Sequence, residues 1–361
     1  MPDVPLHATH ISLGAKMGPF GGWDMPIEYA AGTVAEHTAV RAAVGVFDVS
    51  HMGKLTVAGP GAKAHLNGIL ANDIDRIAPG QAQYSMLCNS NGGIVDDLIV
   101  YLVSEDEVRI IPNASNAATV AAALSEALPA GVTLVDEHMS KGILAIQGPK
   151  SSEVLRSLGL PADHDYMAFV DAQWDGHDLT VCRTGYTGEH GYELVVPNAA
   201  LVPLWNAILE SGAAFGILPC GLGARDTLRT EMGYPLHGQD ISPTISPVQA
   251  RTGWAVGWGK PAFAGRDALV AEKAAGPARV AWGLLALGRG IPRSHMSVLD
   301  SAGAVVGETT SGTFSPTLQV GIALALLSPT VAAGDELAVD VRGRELAVRV
   351  VKPPFVQAST K

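Results

Sequence analysis

The sequence predicts an α+β protein of two or three domains, and three observations carry that expectation. Strand and helix patterns follow one another without the regular alternation of a doubly wound parallel sheet. After about Ala278 the helical pattern stops and only strand-length runs remain. The 361 residues exceed one domain at ~100–200 residues each. With 47% apolar and 16% charged residues they hold material for more than one core.

Thr33 to Ala43 reads as a helix, and Val46 to Val49 and Lys54 to Val57 as short strands. Pro60 then opens a helix to about Leu70, since proline suits a first helical turn. Asn89-Ser90-Asn91-Gly92-Gly93 is a turn cluster between two apolar runs, a hairpin signal. The run that leaves it, Ile94 to Val103, is a strand, and Val108 to Pro112 is another. Asn116 to Leu128 is a helix stopped by Pro129. Gly142 to Gln147 is a strand, Ser151 to Leu158 a helix started at Pro149, and Leu179 to Arg183 and Tyr192 to Val196 strands. Leu201 to Ser211 and Leu222 to Met232 are helices. The tail offers strands at Val280–Leu287, Ser297–Asp300, Val305–Ser311, Val320–Leu327, Glu336–Val341 and Glu345–Val351. Arg342-Gly343-Arg344 is a tight turn between the last two, and the whole tail reads as a small β-barrel or sandwich.

Several function classes are disfavoured. The net charge is −11 and no basic block interrupts it, so a nucleic-acid surface is not expected. No apolar run reaches the ~20 residues of a membrane helix. MPDVPLHATH lacks a cationic region followed by an apolar one, so a cytoplasmic location is expected. Cys88, Cys182 and Cys220 lie far apart, which argues against a disulfide framework, a zinc ribbon or an iron–sulfur site. His7 and His10 have no further ligand in step, so no metal is expected. Phosphate-loop, HExxH and GxSxG motifs are absent, and Gly221-Leu222-Gly223 lacks the third glycine of a dinucleotide fingerprint.

Three segments carry candidate chemistry. In the strand from Ile94, Asp97 shares a face with Ile99 and Tyr101, whereas Asp96 shares the other with Leu98 and Val100. Both faces are apolar, so a carboxylate there needs a partner or a ligand. Asp97 is the better ligand candidate, because a carboxylate and the ring of Tyr101 would grip a flat, amine-bearing molecule. In RTGYTGEHGYELVVP, Gly185, Gly188 and Gly191 predict a sharply folded loop, after which Glu193 is the only charge in Tyr192–Val196. A carboxylate buried there would pair with the N–H edge of a guanidine-like heterocycle. On the helix from Leu222, Arg225 shares a face with Leu228 and Met232, and Arg229 lies one turn on. Such arginines need an anion, either a ligand or a structural carboxylate such as Asp226.

Seven stretches resemble, in order, the aminomethyltransferase (T protein) family of the glycine cleavage system. They are HISLGAKMGPFGGWDMPIEY, GVFDVSHMG, NGGIVDDLIVY, LAIQGP, RTGYTGEHGYEL, GLGARDTLRTEMGYPLHGQD and GETTSGTFSPTLQVGIAL. The resemblance implies a three-domain cloverleaf of two mixed α/β domains and a C-terminal β-barrel. Its first, folate-binding domain would be split over 1–51 and 140–245, the second would be 52–139, and the barrel with its leading connection 246–361. It implies transfer of an aminomethyl carbon from the lipoyl arm of a partner, the H protein, to tetrahydrofolate as co-substrate. Ammonia and 5,10-methylenetetrahydrofolate are then the products. Carried over by motif, Asp97 is the catalytic aspartate, Glu193 the carboxylate on the pterin edge and Arg225 the folate-pocket arginine. Met52, Tyr84, Tyr101, Asn113 and Trp254 match pocket-lining positions. Relatives on this scaffold suggest two alternatives, a folate-dependent demethylase and a non-catalytic folate-binding protein. Lys260, Arg266, Arg289 and Arg293 are candidates for a basic rim that would steer an acidic H protein.

Overall fold

In the computed structural model, which describes residues 3–357 and Thr360, the strand Ile94–Ser104 lies in a five-stranded antiparallel sheet. The strand order is Gln81–Cys88, Ile94–Ser104, Glu107–Pro112, Leu55–Ala58, Thr133–Asp136. The predicted alternation holds. Leu98, Val100 and Leu102 enter a core with Leu66 and Leu70 and with Val120 and Leu124, at the helices Ala62–Ile69 and Ala117–Ser125. On the other face Tyr101 packs edge-on to Phe169, beside Cys182.

A six-stranded sheet stands against that second face. Its order is Phe169–Trp174, His177–Cys182, Gly191–Pro197, Lys141–Gln147, Gly45–Asp48, Leu218–Pro219. Gly45 pairs with Gln147 and Asp48 with Leu144, so the chain leaves this sheet after Asp48, builds the five-stranded one and returns at Lys141. One face is covered by the helix Asn198–Gly212, through Leu201, Leu204, Trp205 and Ile208. The other carries the helices Thr33–Ala42 and Leu222–Met232, where Val40, Phe47, Ile143, Ala224 and Leu228 meet.

The tail is a closed six-stranded barrel, ordered Val280–Ala286, Val320–Leu327, Val305–Ser315, Ser297–Leu299, Glu336–Asp340, Glu345–Val351. Pairing of Leu284 with Val350 closes it. At the last hairpin Arg342 and Gly343 both have positive φ, at 55° and 81°, as a type I′ turn requires. The fold class is thus as the sequence predicts: mixed α/β layers followed by a barrel. Among the described residues no helix is long and apolar enough to cross a membrane.

Some elements were not expected. They include the hairpin Lys16–Phe20/Trp23–Glu28, the strands Thr133–Asp136 and Phe169–Trp174, and the helix Arg266–Ala275. In Arg266–Ala275 only Leu269 is buried, so no apolar stripe marks it. The helix expected to reach Leu128 ends at Ser125, because Glu126 turns extended and Ala127 takes φ 54°. The three cysteines are free and buried.

Candidate active site

A cavity of about 730 Å³ opens where the two sheets and the barrel meet. Met52, Tyr84, Asp97, Tyr101, Asn113, Glu193, Arg225 and Trp254 all line it. The fold thus brings these eight residues to one place, from seven separate elements or turns of the chain.

Asp97 reaches the cavity from the sheet face that also bears Ile99 and Tyr101. Its Oδ1 accepts from Asn113 Nδ2 at 2.7 Å and its Oδ2 from the Tyr84 hydroxyl at 3.1 Å. No lysine or arginine pairs with it among the described residues. Burial pushes its carboxyl up, while the Asn113 and Tyr84 donors oppose that rise. Trp254, 68% exposed, stacks on Tyr84 with ring centroids 5.4 Å apart and makes an aromatic rim beside the carboxylate.

Glu193 sits on the opposite wall, in the strand Gly191–Pro197. Its Oε2 accepts the Thr184 hydroxyl proton at 2.5 Å. Thr184 Oγ1 lies 3.2 Å from the Tyr101 hydroxyl. Because the carboxylate accepts only, Thr184 donates to it and Tyr101 must donate to Thr184. The relay fixes Glu193 and leaves its other oxygen without a donor among the described residues. The glycine loop before it folds around the Gln147 side chain. Gln147 donates to Thr184 O at 3.1 Å and accepts from Thr187 Oγ1 at 2.8 Å. A Cβ on Gly185 or Gly191 would stand only 2.1 or 2.4 Å from that amide, so a side chain at either position would push Gln147 off its bonds to Thr184 and Thr187.

Arg225 and Arg229 part company. Arg229 is the structural one: it binds Asp226 at 2.6 Å, Asp240 at 2.7 Å and Ser311 Oγ at 2.9 Å. Arg225 stacks over the Tyr186 ring at 4.7 Å, and its buried Nη1 has no hydrogen-bond partner. Burial pushes its guanidinium down, against the pull of Glu193. This is the arginine free to meet a ligand anion or dipole.

Tyr186 and Thr184 line the cavity and position candidates, yet a lone hydroxyl residue in a loop has no periodicity to mark it. One docking candidate is corrected. Lys260 is buried, with Nζ on the carbonyls of Leu70 at 2.6 Å and Asn72 at 2.9 Å. Its charge is spent at the end of the Ala62–Ile69 helix and is not offered to a partner. Arg266 turns its Nε onto Lys260 O at 2.7 Å, whereas Arg289 and Arg293 are both exposed. His7 and His10 also diverge: His7 meets Asp24 at 2.9 Å, and His10 is buried on Asp48 at 2.9 Å.

The arrangement suits a flat heterocycle with N–H groups on one edge and an amine beside Asp97. Residues 6–260 match the GCVT N-terminal domain, and residues 279–357 the glycine cleavage T-protein C-terminal barrel domain. The chain is 61% identical to an aminomethyltransferase of Parafrankia sp., over 99% of this chain and 98% of that protein. It is 55% identical to the aminomethyltransferase of Mycobacterium tuberculosis, over 99% and 97%. The crystal structure of glycine cleavage system aminomethyltransferase T from Bartonella henselae superimposes with a TM-score of 0.93 at 34% identity, covering 99% of each chain.

Proposed function

Because the chain belongs to the glycine cleavage T-protein family and is an aminomethyltransferase, we propose that it moves an aminomethyl carbon from the lipoyl arm of an H protein to tetrahydrofolate. One observation carries the assignment of roles: Asp97 is a carboxylate at the cavity wall, held by two neutral donors and, among the described residues, paired with no lysine or arginine. Such a group is poised to stabilise positive charge that develops on a bound nitrogen.

In the transfer the carbon–sulfur bond to the arm breaks and a bond to the folate N5 forms. The carbon–nitrogen bond to the departing amine then breaks, and N10 closes the new ring. The two folate N–H protons go to the amine, released as ammonia, and to the arm sulfur. Asp97 faces the cationic carbon–nitrogen unit at both stages. Glu193, fixed by Thr184 and Tyr101, accepts from the pterin N–H edge, and Arg225 covers the acceptor side of the ring. Met52 and Trp254 wall the cavity, so that orientation and exclusion of water supply the rest.

Single-turnover ammonia release from aminomethyl-loaded H protein tests the reading. Fast release that requires both tetrahydrofolate and this chain is expected. Folate binding without release would instead favour a folate-dependent demethylase or a non-catalytic binder. Glu193→Gln is expected to weaken tetrahydrofolate binding ~10- to 100-fold, as loss of a charged hydrogen bond does, with a smaller change in kcat. Calorimetry beside steady-state kinetics reads both, and unchanged affinity would remove Glu193 from the pterin edge.

A further inference from the structure

Asp96 points away from the cavity and is fully buried, on the core side of the strand that carries Asp97. Among the described residues its hydrogen bonds all come from one turn, Asn113–Asn116, whose Asn113 lines the cavity. Its Oδ1 accepts from Asn116 Nδ2 at 2.7 Å and Asn113 Nδ2 at 2.9 Å, and its Oδ2 accepts the Asn113 backbone N–H at 3.0 Å. The same Asn113 Nδ2 reaches Asp97 Oδ1 at 2.7 Å and the Asp97 carbonyl at 2.9 Å. A carboxamide has two N–H bonds. Asn113 therefore spans the two aspartates, and its rotamer is set by Asp96.

The chain of contacts continues beyond the sheet. Asn116 spends one N–H on Asp96 and turns the other to His237 Nδ1, 3.0 Å away. His237 then carries its hydrogen on Nε2, 3.2 Å from the Ile94 carbonyl. A segment that follows the Arg225 helix is thereby tied, through Asn116, Asp96 and Asn113, to the Asp97 carboxylate.

We propose that Asp96 is a positioning residue for the transfer: by fixing the Asn113 carboxamide it keeps Asp97 Oδ1 occupied and sets the direction in which Oδ2, beside Tyr84, faces the cavity. The proposal rests on the reading that Asp97 faces the reacting amine. A carboxylate is required at position 96, because three N–H donors converge on it. An asparagine offers one oxygen and turns its own N–H bonds on Asn113 or Asn116.

The test is Asp96→Asn, with three readouts. Misplacement of a catalytic group by about an ångström costs roughly 100-fold in rate. The expected result is therefore a fall in kcat of about that size, with tetrahydrofolate affinity within threefold, since Glu193 and Arg225 lie on other elements. A crystal structure of the variant should show the Asn113–Asp97 contact broken or Asp97 turned. Asp96→Asn with Asn116→Asp returns an acceptor to the pair and should recover at least tenfold of the loss. A kcat within threefold of the parent chain, or a loss of kcat with the Asn113–Asp97 contact intact, overturns the proposal. If Asp96→Asn does not fold, the double variant decides: a folded double variant without recovered turnover also overturns it. Should the parent chain itself release no ammonia, the functional reading fails separately. The variant crystal structure then decides alone, an unmoved Asp97 overturning the positioning role and a turned one supporting it.

Discussion

Asp97→Asn is expected to bind tetrahydrofolate and lose turnover by roughly 10²- to 10³-fold, the size seen when one preorganised electrostatic contact is removed. The asparagine keeps the shape and an acceptor for Asn113 or Tyr84, so the cavity wall stands. What it lacks is the negative charge opposite the cation that forms as ammonia leaves. Stability should move the other way. Burial raises the Asp97 carboxyl above its unfolded value, so the folded chain holds the proton more tightly than the unfolded one. Stability from this group is then present below the unfolded pKa and is lost as pH rises through the folded one. Asp97→Asn removes that penalty, and its melting temperature at about pH 8 should equal or exceed that of the parent chain. Ammonia release, folate calorimetry and melting at about pH 5 and pH 8 check the three statements. Near-normal release with loaded H protein would take the role from Asp97.

The two aspartates show how far sequence reaches. Period-two alternation puts Asp97 with Tyr101 and Asp96 with Leu98, and the structure keeps those faces. Alternation says nothing of what each face meets. The partners of Asp96 sit in a turn after the next strand, on asparagines with no pattern of their own. The arginines repeat the lesson. Arg225 and Arg229 are equivalent by helical spacing, and only Asp240 and Ser311, brought from other segments, single out Arg229 as structural. Lys260 looked like surface charge because sequence does not show the carbonyls of Leu70 and Asn72 beneath it. Met52, Tyr84, Asn113 and Trp254 came to notice through family resemblance alone, since a single aromatic, amide or thioether carries no periodic signal. The barrel was legible because each strand is a bounded apolar run. The Lys16–Glu28 hairpin was not, because its first strand is largely exposed.

Glu231→Gln is expected to be the most destabilising of the single changes considered, by about 3–5 kcal/mol, as when one partner of a buried ion pair is removed. Glu231 ends the helix that carries Arg225, and its side chain is 0% exposed. It accepts from Ser315 Oγ at 2.5 Å and from Thr317 N and Oγ1 at 3.1 and 2.9 Å, all in the barrel. It also binds Arg41 Nη2 at 2.8 Å and lies 3.3 Å from His37 Nε2. A glutamine would turn N–H bonds on some of these donors and leave Arg41 with Glu189 as its remaining carboxylate. At ~2.1 cal/mol/K of unfolding entropy per residue, the loss corresponds to about 4–7 °C in Tm if the chain melts as one unit. Burial would raise the Glu231 carboxyl, but His37, Ser315 and Arg41 outweigh it and hold the group down at about 2, against 4.5 for a free glutamate. The unfolded chain thus takes up the proton first as pH falls. The stabilisation is complete above about pH 5 and drains away toward pH 2. Calorimetric melts of both chains at about pH 7 and pH 3 should show the gap between them narrowing in acid. A gap of the same size at both would mean that the ionised carboxylate is not what joins helix to barrel. Because the same helix presents Arg225 to the cavity, a loosened Glu231 should also raise the KM for tetrahydrofolate at neutral pH, coupling the barrel's seat to the site it helps enclose.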